Sequence, residues 1–201
     1  RVLMFRHALS GKFMALPNCP TAGVLLKWFR DEFLPAEEGA DGYERINREI
    51  VGRGREESGL IVLPHFAGYL SPVNNPSARG VIYGLSLDTG RFDIAHGILE
   101  GVGFLLRENL ELLKRHGIQA DEIISLGGGA KSPLWLKIKA DICGVPMVTL
   151  RAEEATARGC AFGAGLALGM LEGPEQIAQY VTRAQRYVPG EPGRSLYQEK
   201  Y

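Results

Sequence analysis

The apolar positions of this chain change period several times along its length, and each change marks an element. Val2-Leu3-Met4-Phe5 and Lys12 to Leu16, separated by Leu9-Ser10-Gly11, predict a strand, a turn and a second strand, hence a hairpin. Thr21 to Phe33 carries Val24, Leu25, Trp28 and Phe29 at helical spacing, with Arg30, Asp31 and Glu32 near its end and Pro35 as the stop. Glu37 to Glu57 is highly charged, and its sparse apolar residues Tyr43, Ile46, Ile50 and Val51 predict an exposed helix with a narrow contact stripe. Leu60-Ile61-Val62-Leu63-Pro64 predicts a short buried strand. The Pro-, Asn-, Ser- and Gly-rich stretch from His65 to Gly80 predicts a long loop, of a length that usually serves or covers something.

The clearest helical pattern runs from Asp93 to His116, with Ile94, Ile98, Val102, Leu105, Leu106, Leu110 and Leu113 on one face and Gly117 as the stop. Gly97, Gly101 and Gly103 interrupt it. Each costs a helix about 1 kcal/mol against alanine, so the expectation is that another element approaches closely there. Ile123 to Leu126 predicts a strand, Leu134 to Cys143 a helix, Met147 to Leu150 a strand, and Thr156 to Met170 a helix whose Gly159, Ala161, Gly163 and Gly165 leave smooth faces. Pro174 to Tyr201 is expected as a tail carrying one short helix, broken by Pro189-Gly190-Glu191-Pro192-Gly193. Strand and helix in alternation predict an α/β fold, a central sheet with helices against it.

The candidate chemistry lies between one of those strands and the helix after it. Gly127-Gly128-Gly129-Ala130-Lys131-Ser132-Pro133 joins them, with Ser132 placed as N-cap and Pro133 as the first helical residue. Glycines allow close backbone approach to an anion, and the unpaired N–H groups at a helix start favour negative charge. A Walker A loop would need glycine at 130 and 125, where this chain has Ala130 and Ser125. A dinucleotide fingerprint would need glycine at Ser132 and an acidic residue after Met147-Val148-Thr149-Leu150, where Arg151 stands; a dinucleotide-binding oxidoreductase fails on that point. Two readings stay open on the motif alone: an anion site, or a tight strand-to-helix turn without a ligand.

Composition narrows the partners. The chain has 201 residues, and 23 Lys+Arg balance 23 Asp+Glu, so nothing predicts capture of nucleic acid or of an anionic membrane. Cys19, Cys143 and Cys160 form no CxxC pair, which points to a reducing cytoplasm rather than to disulfides or zinc. His7, His65, His96 and His116 are scattered without metal-ligand spacing, and no protein-held metal is expected. The apolar run Cys160 to Leu171 is too short to span a bilayer. The chain opens at Arg1 directly on a strand, which is the expectation for a piece of something longer.

Taken together, the segments resemble the carboxy-terminal domain of the FGGY carbohydrate kinases. Gly80-Val81-Ile82-Tyr83-Gly84-Leu85, followed after a gap by Asp93-Ile94-Ala95-His96-Gly97-Ile98-Leu99-Glu100-Gly101, is similar to the family's second signature, with Gly97 where the family usually has Ala or Ser. Leu126 to Ile142 resembles its adenine-nucleotide turn, Glu154-Ala155 through Gly165 the helix after the next strand, and Ala22-Gly23 with Lys27 to Asp31 a third nucleotide element. The loop Pro64 to Gly80 is similar to the family's proline-rich segment, with Asn75 where relatives commonly have Asp. Arg79 is read there as a phosphate contact or, in preference, a brace.

The resemblance implies an actin/ribonuclease H-like ATPase domain with a central mixed sheet flanked by helices, spanning 1–188, with 189–201 as a C-terminal tail. It implies ATP and Mg²⁺ as cofactors, and Gly23, Lys27, Gly127, Gly128, Gly129, Lys131 and Ser132 as nucleotide-binding residues. Lys27 also reads as an ordinary exposed helix lysine, and Ser132 as an N-cap whose two roles are compatible. Relatives often carry Gln and Asn at those two positions. The implied reaction transfers the ATP γ-phosphoryl to a sugar or polyol hydroxyl. A pentulose such as xylulose is favoured, because Gly127 to Trp135 looks closer to that branch than to the glycerol branch. The family's catalytic aspartate and its sugar-binding amino-terminal domain have no counterpart in these residues. Asp88, Asp93, Glu100 and Asp141 read as helix caps or helix-surface carboxylates, so no catalytic residue is assigned and the 201 residues alone are expected to be inactive. The sugar is bound mainly by the absent domain, and a homodimer is compatible with the reading. A non-catalytic nucleotide-binding or oligomerisation module is the alternative.

Overall fold

The computed structural model describes residues 2–9, 11–35, 41–151 and 154–201; Ser10 of the expected hairpin turn and 37–40 of the expected charged helix lie outside them. The hairpin forms as β1 (Leu3–Arg6) and β2 (Phe13–Leu16), paired antiparallel with Leu3 opposite Leu16. Then come α1 (Ala22–Phe33), α2 (Asp41–Gly52) and a second antiparallel ribbon, β3 (Ile61–Leu63) on β4 (Val81–Tyr83). The long helix α3 (Arg91–Arg115) follows, then β5 (Ile123–Ser125), a 3-10 turn over Gly128–Lys131, and α4 (Pro133–Cys143). Last are β6 (Met147–Leu150), α5 (Ala155–Ala167), α6 (Pro174–Ala178), β7 (Arg183–Tyr187) and α7 (Glu191–Lys200). β5 and β6 pair parallel and β7 joins β6 antiparallel, so the chain is α/β with a mixed three-stranded sheet.

The centre of the molecule is α3. Ala95, Ile98 and Leu99 are fully buried against Leu25 and Phe29 of α1, Ile46 and Ile50 of α2, and Ile138 and Ile142 of α4. The three helix glycines are explained by contact. A Cβ on Gly97 would sit 2.9 Å from Val62 Cγ2, one on Gly103 would sit 2.6 Å from Ile142 Cδ1, and one on Gly101 would collide with the Val62 carbonyl oxygen. The glycines thus let β3 and α4 lie directly on α3, and the helix-propensity cost is offset by backbone packing that no side chain would permit. A smaller cluster of Leu136, Ala140 and Met147 joins α4 to the sheet.

Several expectations shift by a residue or a face. The buried stripe of α1 is Leu25, Leu26 and Phe29, and Val24 is 63% exposed. β3 is buried on one face: Val62 packs against the glycines of α3, while Ile61 and Leu63 point the other way and are exposed. β7 escaped the sequence reading, since Arg-Ala-Gln-Arg-Tyr has no apolar alternation; as an edge strand it needs little. Within residues 189–201, expected as a broken tail, Glu191–Lys200 form α7. Pro192 sits in its first turn, where a missing N–H costs nothing, and Tyr197 is 2% exposed within the main core. Among the described residues no helix is long and apolar enough to cross a membrane.

Candidate nucleotide site

The strand-to-helix turn folds as its residues dictate. Gly127 adopts φ +75°, a conformation that favours glycine, and the chain then makes one 3-10 turn before α4. Ser132 caps α4, its Oγ accepting from the Trp135 amide at 3.1 Å, with Pro133 next and Gly144 at φ +65° closing the far end. The turn lies at the carboxyl end of β5, the usual position for ligands in parallel sheets.

Two hollows flank it. The first, of about 340 Å³, gathers Gly23, Val24 and Lys27 of α1, Asn47 of α2, and Gly128, Gly129, Lys131 and Ser132 of the turn. The second, of about 480 Å³, lies over the carboxyl ends of β5 and β6 and is bounded by Gly127, Gly128, Lys131, Thr149 and Arg151. The structure therefore brings six of the seven expected site residues to one cavity, and the seventh, Gly127, to its neighbour across the turn. Nothing crowds Gly23, Gly127 or Gly128: a Cβ built on any of them meets no atom within 4 Å. Those glycines leave space, in contrast to the packed glycines of α3.

One wall of the first cavity is apolar, formed by Val24, Leu26, Tyr43 and Trp135. Trp135 is fixed from behind: its indole N–H donates to the Leu99 carbonyl at 3.0 Å, and the Lys139 ammonium lies 4.7 Å over its ring. Burial pushes the Lys139 amine down to about 8. Lys27 stands at the rim, paired with Asp31 at 2.6 Å, so its ordinary helix-surface role is fulfilled as well. Lys131 pairs with no carboxylate among the described residues and borders both hollows.

The wall that sequence reasoning missed is α2. Tyr43, Glu44 and Asn47 face the first cavity, and Asn47 Oδ1 accepts from Ser132 Oγ at 2.9 Å across 85 positions of sequence. α1 and α2 are joined beside it by the Arg30 guanidinium, 4.7 Å over the Tyr43 ring. One signal existed: asparagine is disfavoured in a helix interior, and Asn47 has no cap or turn to serve there.

Three of the four carboxylates weighed from the sequence, Asp93, Asp141 and Glu100, are engaged elsewhere. Asp93 caps α3, accepting the Gly90 amide at 2.8 Å and Arg53 at 2.7 Å; burial raises its pKa, but that amide with Arg53 and Arg55 outweighs it and holds the carboxyl below its ordinary range. Asp141 holds Lys137 and the Gly190 amide. Glu100, read from sequence as a surface carboxylate, is 1% exposed and enclosed by Ser58, Tyr197 and Lys200. No group of three or more His, Cys, Asp or Glu is placed to hold a metal ion among the described residues. Arg79 donates to the carbonyls of Ala78 and Pro76, which makes it a brace of its loop.

Comparison with known proteins defines the class. Residues 4–168 match the model of the FGGY family of carbohydrate kinases, C-terminal domain, and the chain belongs to that family. Its fold is that of the actin/ribonuclease H-like ATPases. The chain is 28% identical over 199 residues to a xylulose kinase of Staphylococcus epidermidis, covering 98% of this chain and 39% of the relative. It is 33% identical over 169 residues to a glycerol kinase of Ectopseudomonas mendocina, covering 84% and 33%. A solved structure of Plasmodium falciparum glycerol kinase with ADP superimposes with a TM-score of 0.79 at 20% identity, over 99% of this chain and 40% of that one. The chain thus spans about two fifths of the length of the curated relatives it matches.

Proposed function

We propose that these residues are the ATP-binding half of a carbohydrate kinase that transfers the γ-phosphoryl of ATP to a sugar or polyol hydroxyl, a pentulose such as xylulose being favoured. One observation carries the reading: Gly23 and Lys27 of α1 and Gly128, Gly129, Lys131 and Ser132 of the turn, more than a hundred positions apart in sequence, border one cavity, where Gly23 and Gly128 have no packing reason to be glycine. Cavities of this size suit small ligands.

The apolar wall of Val24, Leu26, Tyr43 and Trp135 suits the faces of a purine. The bare backbone at Gly128 lets phosphates approach, the N-terminus of α4 favours their charge, and Lys131 adds a cation at the ridge between the hollows. When bound, Mg²⁺-ATP supplies the transferable phosphoryl and the metal that offsets its charge. The role of this chain is positioning. Asp93, Glu100 and Asp141 are consumed by amides, hydroxyls and cations, so none of these three is free to take the hydroxyl proton. Cys19, Cys143 and Cys160 are free thiols, which suits a reducing cytoplasm.

Calorimetric titration of ADP into the whole protein that carries this chain tests the site. Binding is expected, and Gly128→Trp, which fills the cavity without touching the core, is expected to abolish it. Sugar-dependent ATP consumption is expected from the whole protein and not from the 201 residues alone. Robust turnover by those residues would show that a catalytic base lies among them.

A further inference from the structure

The hydrogen-bond inventory at the cavity leaves an unspent donor and an unspent acceptor side by side. Ser132 has one hydroxyl proton, and it goes to Asn47 Oδ1 at 2.9 Å, while one lone pair takes the Trp135 amide at 3.1 Å. Ser132 therefore has no donor left for a ligand. The same bond fixes the orientation of the Asn47 amide: its oxygen is held by Ser132, so its NH₂, with two donors, is the end left to the cavity. Glu44 lies three residues earlier on the same helix and borders the same cavity, and its carboxylate makes no hydrogen bond or ion pair among the described residues. An amide donor beside a carboxylate acceptor matches a planar edge that presents an acceptor beside a donor.

Resting on the nucleotide reading above, we propose that Asn47 and Glu44 determine the base specificity of this site. Asn47 donates to a ring nitrogen of adenine, Glu44 accepts from the exocyclic amine, and Ser132 is a positioning residue that holds the amide in its working orientation. The pairing discriminates against hypoxanthine and guanine, because each places a carbonyl oxygen where adenine has its amine, and that oxygen would face the Glu44 carboxylate. Helix α2 thus supplies the base-reading wall, and the glycine turn supplies the phosphate side.

The test is a set of calorimetric titrations of ADP, IDP and GDP into the whole protein and its variants. Wild type is expected to prefer ADP over IDP by about tenfold, the scale of one hydrogen bond gained or lost. Asn47→Asp keeps the shape, replaces the donors with an acceptor, and is expected to weaken ADP by about tenfold. Glu44→Gln, whose amide can turn its NH₂ toward a carbonyl, is expected to narrow the ADP to IDP ratio toward unity. Ser132→Ala is expected to reduce the same ratio, with Ser132→Thr restoring it; loss of the helix cap alone would lower stability and leave the ratio unchanged. If Gly128→Trp abolishes ADP binding while Asn47→Asp and Glu44→Gln leave the ratio untouched, the base-reading assignment is wrong and the nucleotide site stands. A wild type that prefers GDP also overturns the assignment. If ADP does not bind, or Gly128→Trp leaves binding unchanged, the nucleotide reading falls and this inference with it.

Discussion

The cavity beside the glycine turn and the pocket around Glu100 are both polar, and they are polar in opposite senses. Around Glu100 every group is consumed. Oε1 accepts the Ser58 amide at 3.0 Å and the Tyr197 hydroxyl at 3.3 Å; Oε2 accepts the Ser58 hydroxyl at 2.6 Å and the Lys200 ammonium at 2.7 Å. Lys200 reaches Glu57 as well, at 3.1 Å. Beside the turn, the Asn47 amide, the Glu44 carboxylate and Lys131 keep capacity to spare. Satisfied polar groups fasten the C-terminal helix to the core, and the groups facing the cavity keep hydrogen-bonding capacity beyond their protein partners. The distinction is one of hydrogen-bond inventory, since residue types alone do not separate the two places.

The largest effect that would test the contrast is at Glu100. Glu100→Ala removes from a buried site the carboxylate shared by Lys200, Tyr197 and Ser58, leaving them Glu57 and the Glu56 and Leu60 carbonyls, and should cost about 3 kcal/mol in urea unfolding. A midpoint near wild type would mean that α7 is not held by this network. Next is Gly101→Ala, whose new methyl meets the Val62 backbone and should cost about 1–3 kcal/mol by the same measurement. The turn should respond far less. Gly127→Ala is strained at φ +75° and should cost about 1–2 kcal/mol, whereas Gly128→Ala, in open space without that strain, should stay within about 0.5 kcal/mol. Equal costs at 127 and 128 would erase the difference between a strained and an open position.

At the small end lies the pH dependence of stability. Burial holds the His96 imidazole below its ordinary value, and Lys200 pushes the same way while Glu100, Asp93 and Glu57 oppose. Below pH about 6.5 the unfolded chain therefore takes up a proton that the folded one refuses. Stability should be level above that pH and fall as pH drops toward the lowered folded pKa. His96→Phe should reduce that slope without removing it, because burial lowers His65 in the same direction. An unchanged slope in urea midpoints between pH 7 and 5 would exclude His96 as its source.

Legibility followed the range of the interaction. The turn, its cap at Ser132, the stop at Gly117 and the extent of α3 were readable because each depends on residues within one or two helical turns. The glycines of α3 announced a close neighbour, but the identity of that neighbour, Val62 on one side and Ile142 on the other, was not in the spacing. Glu100 was read as surface because its helix position said so, and the residues that enclose it come from 58 and from 197 to 200. Val24 was grouped with Leu25, Trp28 and Phe29 on one apolar side and instead lines the cavity, since the rotation of α1 is set by what it packs against.

By itself, then, the sequence determined the elements other than β7 and α7 in outline, the glycine turn and the family likeness, all carried by local periodicity, caps and contiguous motifs. Only the tertiary structure decided that Asn47 holds Ser132, that α7 closes over Glu100, and that Gly23 and Gly128 share a cavity. Each of those joins groups 85 or more positions apart. Such contacts depend on how helices cross and rotate on a common core, a property of packing that no local pattern in the chain encodes.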